Sequence, residues 1–205
     1  VNQVPFAFFT AYPVPEIARR LIGCTIHTYI EGQYTAGIIT ESEAYAVDDK
    51  ACHCYAYRRS KRTAPMYLEG GHMYVYLCYG IHTLFNLVTN KEGIPEAVLI
   101  RSVEPKEGVE AMLKRRQLNQ ISPSLSSGPG NLSKAMGITT SISGLRLKEG
   151  LIWLEESKAR MPEVGVATRV GVAYAQEDAL RPWRFYSKDS VWVSKPVNHV
   201  QVCAL

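Results

Sequence analysis

The chain has 205 residues, 46% of them hydrophobic and 20% charged, with 23 basic against 19 acidic residues, a net charge of +4 and an isoelectric point near 8.8. This length and composition suit one domain with a substantial core and exclude a disordered polymer. The mild positive charge permits a polyanionic partner without requiring one. No apolar run is long enough to cross a bilayer and no signal-peptide pattern opens the chain, so a soluble intracellular protein is expected.

In chain order, residues 1–12 are apolar and aromatic (Phe6, Phe8, Phe9, Tyr12) and read as an extended N-terminal arm. Pro15 stands where a helix begins and Gly23 where it stops, with Ile17, Ala18, Leu21 and Ile22 as its apolar stripe. Residues 24–30 and 34–46 are strand-like and meet in a tight hairpin at Glu31-Gly32. A short helix is expected over 48–54, capped by Asp48 or Asp49. Residues 58–71 form a basic loop ending in Gly70-Gly71, and strands 72–79 and 82–89 follow, linked through Gly80. A third strand covers 96–103, and Pro105 is expected to open a helix that ends about residue 117. Residues 119–130 are a loop, and Ser127-Gly128-Pro129-Gly130 leads into a short helix through Leu132, Ala135 and Met136, closed by Gly137. The remainder, with Trp153, residues 164–172, Phe185 and Trp192, is mainly strand-like, and 197–205 form a tail. With no internal repeat and no linker, residues 1–205 read as one α+β domain.

The chemistry concentrates in two segments, Glu41-Ser42-Glu43-Ala44-Tyr45 and His72-Met73-Tyr74-Val75-Tyr76-Leu77-Cys78-Tyr79-Gly80. In a regular strand Ile39, Glu41, Glu43 and Tyr45 share one face. Two carboxylates and a tyrosine do not build a core, so that face is expected to line a cleft, and a bulge would regroup it. Glu43 is the candidate general base, because a carboxylate is ionised at neutral pH and can deprotonate water. The bland alternative is a surface strand glutamate. Glu41 is either a partner that orients a nearby group or a charge that raises the pKa of Glu43. Tyrosine faces can hold a flat ring, and a bulky side chain at a glycine turn can be pushed between stacked bases, although strand propensity alone also accounts for Tyr74, Tyr76 and Tyr79. Together these tasks suit an enzyme that acts on an extruded nucleobase.

Arg58, Arg59, Lys61 and Arg62, preceded by Tyr55 and Tyr57, are read as phosphate contacts, whereas Lys114, Arg115 and Arg116 are read as a solvated basic face at a helix end. The five cysteines, Cys24, Cys52, Cys54, Cys78 and Cys203, are odd in number and irregularly spaced, which points to free thiols in a reducing compartment. Cys52-His53-Cys54 invites a zinc reading, but a structural zinc site needs a second ligand pair at wider spacing, and the His-x-Glu with Pro-Cys-x-x-Cys of nucleobase deaminases is absent. No metal and no cofactor is expected. Gly128-Pro129-Gly130 either presents backbone amides to a phosphate, with Lys134 assisting, or is a plain turn.

The segment 39–45 (ITESEAY) is similar to the catalytic strand of the alkyladenine (3-methyladenine or methylpurine) DNA glycosylase family, and 73–86 (MYVYLCYGIHTLFN) resembles that family's next signature. Val98-Leu99-Ile100-Arg101 with Glu104-Pro105, Ser127-Gly128-Pro129, Arg169-Val170-Gly171-Val172 and Arg184-Phe185-Tyr186 follow in the family's order, so the resemblance covers nearly the whole chain. It implies a compact α+β fold round a curved, open-barrel-like antiparallel sheet flanked by short helices, acting on double-stranded DNA without a metal. It implies Glu43 as the water-activating residue, Tyr45 and Tyr76 as the faces that sandwich the flipped base, and His53 as the side chain that closes the pocket. Asn86 matches the residue that clashes with the amine of ordinary guanine, Tyr79 the side chain that fills the hole in the duplex, and Arg101 an arginine near the extruded nucleotide's phosphate. The chain departs from the family at Lys61-Arg62-Thr63-Ala64-Pro65-Met66-Tyr67 and at His82 and Thr83, which bears on minor-groove contacts and lesion preference.

The implied activity is a monofunctional DNA glycosylase in base excision repair. It would extrude alkylated or deaminated purines such as 3-methyladenine, hypoxanthine or ethenoadenine and hydrolyse the N-glycosidic bond. No lyase step is expected, since no lysine or terminal amine stands in the matched positions. The rival reading is a noncatalytic nucleic-acid binder that uses the aromatics as a stacking platform and has no need of Glu43. The protein is expected to be a monomer without membrane contact, cytoplasmic in a bacterium or nuclear in a eukaryote.

Overall fold

The computed structural model describes residues 2–157 and 162–194, and the tail expected over 197–205 lies outside them. The described residues form β1 (Thr25–Ile30), β2 (Gln33–Tyr45), β3 (Met73–Cys78), β4 (His82–Thr89), β5 (Glu96–Glu107), β6 (Ile152–Glu155), β7 (Val164–Ala167) and β8 (Arg184–Ser187). The sheet runs β3-β4-β5-β2-β1-β6, with β8 paired to both β2 and β7. All of these pairings are antiparallel and the sheet is open. Four short α-helices, α1 (Phe8–Ala11), α2 (Val14–Arg20), α3 (Val109–Arg116) and α4 (Pro129–Ala135), complete the α+β architecture among the described residues. None of the described helices is long and apolar enough to cross a membrane.

The core follows from the expected apolar stripes. Ile17, Ala18, Leu21 and Ile22 of the α2 region are fully buried against Ile39, Ala44, Val98 and Ile100 of the central strands. Burial of each such aliphatic side chain contributes about 1.5–3 kcal/mol, which outweighs the modest helix propensity of a seven-residue segment such as α2. The Ser42 hydroxyl donates to the Ala18 carbonyl at 2.7 Å and fixes α2 against β2. Arg115 donates to the carbonyls of Ala135 and Ile30, and Arg116 to those of Leu125 and Ser124. The second basic cluster is therefore not a freely solvated face: two of its members fasten loops to the helix end.

Five expectations are corrected. The N-terminal arm is not extended throughout, because Phe8–Ala11 coils into α1 and buries Phe9. No helix forms over 48–54: the segment is a series of turns, and although one Asp49 oxygen accepts the Ala51 amide, both are committed to Arg169. Pro105 does not open a helix. It lies in β5 opposite Gly37, beside a register shift, where its missing N–H is tolerated. The helix starts only after Gly108, whose φ of 67° is left-handed and where a Cβ would collide with the Tyr34 carbonyl. Finally, residues 173–180 wind in 3-10 turns rather than a strand, and Ile39 does not share the face of Glu41, Glu43 and Tyr45.

The last correction has a structural cause. One edge of β2 pairs with β5 from Ala36 to Tyr45, but the other edge pairs with β1 only as far as Ile38 and with β8 from Glu41 onward. At that change of partner Thr40 has no counterpart on β5, and the Thr40 hydroxyl instead donates to the Trp192 carbonyl at 2.6 Å. The bulge sends Ile39 into the core and re-aims Glu41 towards the polar side.

Candidate active site

Across the sheet, Glu43 lies opposite Leu99, Leu99 opposite Asn86, and Asn86 opposite Tyr74. Directly opposed residues point to the same face, so this row places the carboxylate, the amide and the aromatic on one surface. The surface is the floor of a cavity of about 660 Å³ lined by Tyr45, His53, Arg62, Tyr76, Asn86, Leu99, Arg101 and the loops at Gly128–Asn131 and Val170–Val172, among others. A volume in this range suits a small-molecule-sized group such as a nucleotide. On β5 the alternate residues Ala97, Leu99 and Arg101 face the cavity while Val98 and Ile100 face the core.

Of the face expected to line the cleft only Tyr45 does so: Glu41 and Glu43 are fully buried, and Glu43 lies just behind the cavity wall, against the lining residues Tyr45, Arg101 and Val170. Its Oε1 accepts the Val170 amide at 2.8 Å, and its Oε2 accepts the Tyr45 hydroxyl at 2.7 Å and lies 3.2 Å from Arg101 Nη1. Two hydrogen bonds and one ion pair, from three segments, hold it, and Oε1 keeps one lone-pair site unoccupied by them. Burial and the neighbouring Glu43 carboxylate push the Tyr45 phenol well above its usual pKa, so it stays a donor. The Arg169 guanidinium lies 4.9 Å from the Tyr45 ring centroid and holds Asp49 through two hydrogen bonds. Arg169 thereby joins the loop bearing Val170 to the loop bearing His53.

His53 shares a 2.9 Å hydrogen bond with the Tyr74 hydroxyl and stands edge-on to Tyr76, ring centroids 4.7 Å apart. Burial, with Arg62 adding to it, lowers the His53 pKa to about 4, so the ring is neutral at pH 7. Tyr74 stacks beneath Tyr76 at 5.2 Å. The Asn86 amide donates to the Tyr74 carbonyl at 3.0 Å, which fixes its orientation on the cavity floor. Arg62 is exposed and 5.8 Å from the Tyr76 ring, while Arg58 and Arg59 are exposed near Tyr55 and Tyr67.

Tyr79 stands apart from this group. It is 91% exposed at the tip of the β3–β4 hairpin, on the rim of the cavity, in a left-handed backbone conformation (φ 50°) that continues into Gly80 (φ 75°). Exposed Ile81 flanks it. A positive φ is uncommon for a bulky residue such as tyrosine, and the same pair of positive φ values closes the Glu31-Gly32 hairpin.

Arg101, expected beside a phosphate, is buried. Its Nε donates to Glu41 Oε1 at 2.6 Å, its Nη1 faces Glu43, and its Nη2 donates to the Ser194 hydroxyl at 3.1 Å. The sequence assigned no site role to Val170, Arg169, Arg184 or Ser194, and read Asp49 only as a candidate helix cap. A backbone amide such as that of Val170 has no residue-type signature, while Arg169 and Arg184 sat in recognisable motifs without an assigned partner. The Gly128 amide is consumed by the Ser102 hydroxyl at 3.0 Å, which favours the turn reading of that loop over a phosphate cradle. No group of three or more His, Cys, Asp or Glu among the described residues could hold a metal ion.

A protein-family model described as methylpurine-DNA glycosylase matches residues 7–191. The chain is 41% identical over 185 residues to a Chlamydia felis protein provisionally named a 3-methyladenine DNA glycosylase, covering 89% of this chain and 95% of that protein. It is 43% identical over 185 residues to a Methanocella arvoryzae protein with the same provisional name, covering 89% and 92%. A Bacillus cereus protein, again so named, is 38% identical over 204 residues, covering 94% and 99%.

Proposed function

The chain belongs to the methylpurine-DNA glycosylase family, and from that premise we propose that it extrudes damaged purines from duplex DNA and hydrolyses their N-glycosidic bond with a water activated by Glu43. It is a DNA N-glycosylase of base excision repair. The observation that carries the mechanistic reading is Glu43, held by Val170, Tyr45 and Arg101 just behind the wall of an aromatic cavity with acceptor capacity on Oε1 to spare.

The reaction runs as follows. The damaged base enters between the Tyr45 and Tyr76 side chains, with neutral His53 closing the pocket and adding no positive charge beside a cationic purine. Water attacks C1′ of the deoxyribose and passes a proton to Glu43, while the electrons of the C1′–N bond go to the departing base. An N-alkylated purine is already positive and leaves as a neutral molecule, so the second carboxyl acid of ordinary glycosidases is not needed. A neutral lesion such as hypoxanthine takes a proton from solvent as it leaves. Asn86, fixed by the Tyr74 carbonyl, stands against the exocyclic amine of ordinary guanine. Arg101 has two guanidinium N–H groups beyond its three contacts with which to face the nucleotide's phosphate. Arg58, Arg59 and Arg62 supply outer phosphate contacts, which makes binding weaken steeply with salt.

The test is incubation of duplexes carrying 3-methyladenine, hypoxanthine or ethenoadenine, followed by alkaline cleavage of abasic sites. Breaks at the lesion are expected. Tight binding with no break from any of the three would leave only the stacking-platform reading.

Tyr79, exposed at a hairpin tip, is proposed to occupy the gap left by the extruded nucleotide. A wedge of this kind offsets an unstacking cost of about a few kcal/mol, so Tyr79→Ala is expected to slow excision from duplex roughly 10–100-fold. Excision from a single-stranded substrate should change little, because nothing has to be unstacked. Equal losses on both substrates would remove the wedge role.

A further inference from the structure

We infer that Glu41 is the positioning residue of this site: it holds Arg101 by its Nε edge so that the guanidinium cannot close on Glu43 as a bidentate pair. The inference rests on the reading of Glu43 as the base.

Glu41 is fully buried and saturated. Its Oε1 accepts Arg101 Nε at 2.6 Å, Arg184 Nε at 2.7 Å and the Ser194 hydroxyl at 2.8 Å. Its Oε2 accepts the Ser102 hydroxyl at 2.9 Å and the Ser194 amide at 2.8 Å. A carboxylate offers about four lone-pair sites, so five donors leave none for a water proton. Burial alone would raise its pKa, but Arg101, Arg184 and the Ser194 amide hold it below the usual carboxylate range. Glu41 is thus held towards its charged form and chemically occupied, whereas Glu43 Oε1 on the same strand has acceptor capacity left.

The geometry gives that charge a task. An arginine beside a lone carboxylate pairs through two parallel N–H···O bonds, which here would take both Glu43 oxygens. Glu41 instead engages Nε, and Ser194 engages Nη2, so only Nη1 is left to Glu43, at 3.2 Å. Glu41 and Glu43 together balance Arg101 and Arg184, so the cluster carries no net charge. Ser194 comes from the last described segment, which makes that segment part of the active-site support.

The charged and titratable groups facing Glu43 are Glu41 and Tyr45 on its own strand, Arg101 from β5, Arg184 of β8, which is paired directly opposite it, and, behind the Val170 loop, Arg169 with Asp49. Glu41→Gln keeps the shape but leaves the cluster with an excess positive charge. The excision rate in single turnover is expected to fall roughly 10–100-fold while lesion-duplex affinity changes little, since the fault is one of placement. Glu41→Gln combined with Arg184→Gln restores the charge balance but not the hold on Arg101 Nε, so it should stay as slow as Glu41→Gln alone. Recovery of the rate in the double variant, or a loss of affinity alone, would overturn the inference. Excision by a Glu43→Gln protein would instead overturn the reading beneath it. If Glu41→Gln does not fold, Ser194→Ala, which removes a hydroxyl bonded to both Glu41 and Arg101, is expected to slow excision severalfold at unchanged affinity, and an unchanged rate there overturns the inference.

Discussion

Glu43→Gln is expected to slow excision of hypoxanthine from duplex DNA by roughly 10³-fold, within the range contributed by a general base. Glutamine keeps the volume and can still accept the Val170 amide through its carbonyl oxygen. Its NH₂, however, must then face the Tyr45 hydroxyl and Arg101, where the carboxylate accepted a hydrogen bond from the first and paired with the charge of the second, and it cannot take a proton from water. Affinity for the lesion duplex should stay within a few-fold, because the proposed stacking surfaces of Tyr45, Tyr76 and His53 and the proposed Tyr79 wedge are untouched. The measurement is a single-turnover time course read by alkaline cleavage, with binding followed separately by fluorescence anisotropy. A Glu43→Gln rate within tenfold of wild type would sink the mechanism, since the other carboxylate on this face of β2, Glu41, is saturated by five donors.

The second large effect concerns stability. Arg169→Ala is expected to cost about 3–5 kcal/mol, the loss seen when one partner of a buried ion pair is removed. Asp49 and Arg169 are both buried, so deletion strands the Asp49 carboxylate without its counter-charge. It also frees the Ala44 and Asp178 carbonyls, which Arg169 satisfies at 2.9 and 2.8 Å. Contacts with the Tyr45 and Trp183 rings, at 4.9 and 5.3 Å, are lost as well. For a domain of this size the midpoint of thermal unfolding should fall by roughly 10–15 °C. Urea denaturation checks the free energy, and a loss below about 1 kcal/mol would mean that the pair is worth no more than a surface salt bridge. Residual folded protein should also be slow in excision, because Arg169 precedes the residue whose amide holds Glu43.

Local signals were legible wherever short-range chemistry decides structure. The Glu31-Gly32 and Tyr79-Gly80 turns carry positive φ at both residues, and the strands on either side could be read from the sequence. The apolar stripe of α2 and the Gly137 stop after α4 were equally readable. The errors fall where long-range pairing overrides local preference. Pro105 looks like a helix opener, but β5 continues through it because β2 supplies partners as far as Ala36 opposite Glu107. Asp49 looks like a helix cap, but Arg169, 120 residues away, claims its carboxylate. A regular period of two put Ile39 with Glu41, and the exchange of β1 for β8 along one edge of β2 breaks that period at Thr40.

The candidate site divides in the same way. Residue types and their spacing pointed to the Glu41–Tyr45 strand and the Tyr74–Tyr79 hairpin, and the family resemblance picked Glu43, Tyr45, Tyr76 and Tyr79 out of them. Which of the two strand carboxylates is free to act was decided only by tertiary structure. Glu41 and Glu43 have the same side chain on the same strand, and nothing in the linear order separates them. They differ because β8 and the segment ending at Ser194 bring Arg184, an amide and a hydroxyl onto Glu41, while Glu43 meets only Tyr45, Arg101 and one backbone amide. The availability of a lone pair depends on the number of donors within about 3 Å, and most of those donors come from residues more than fifty positions away in the chain.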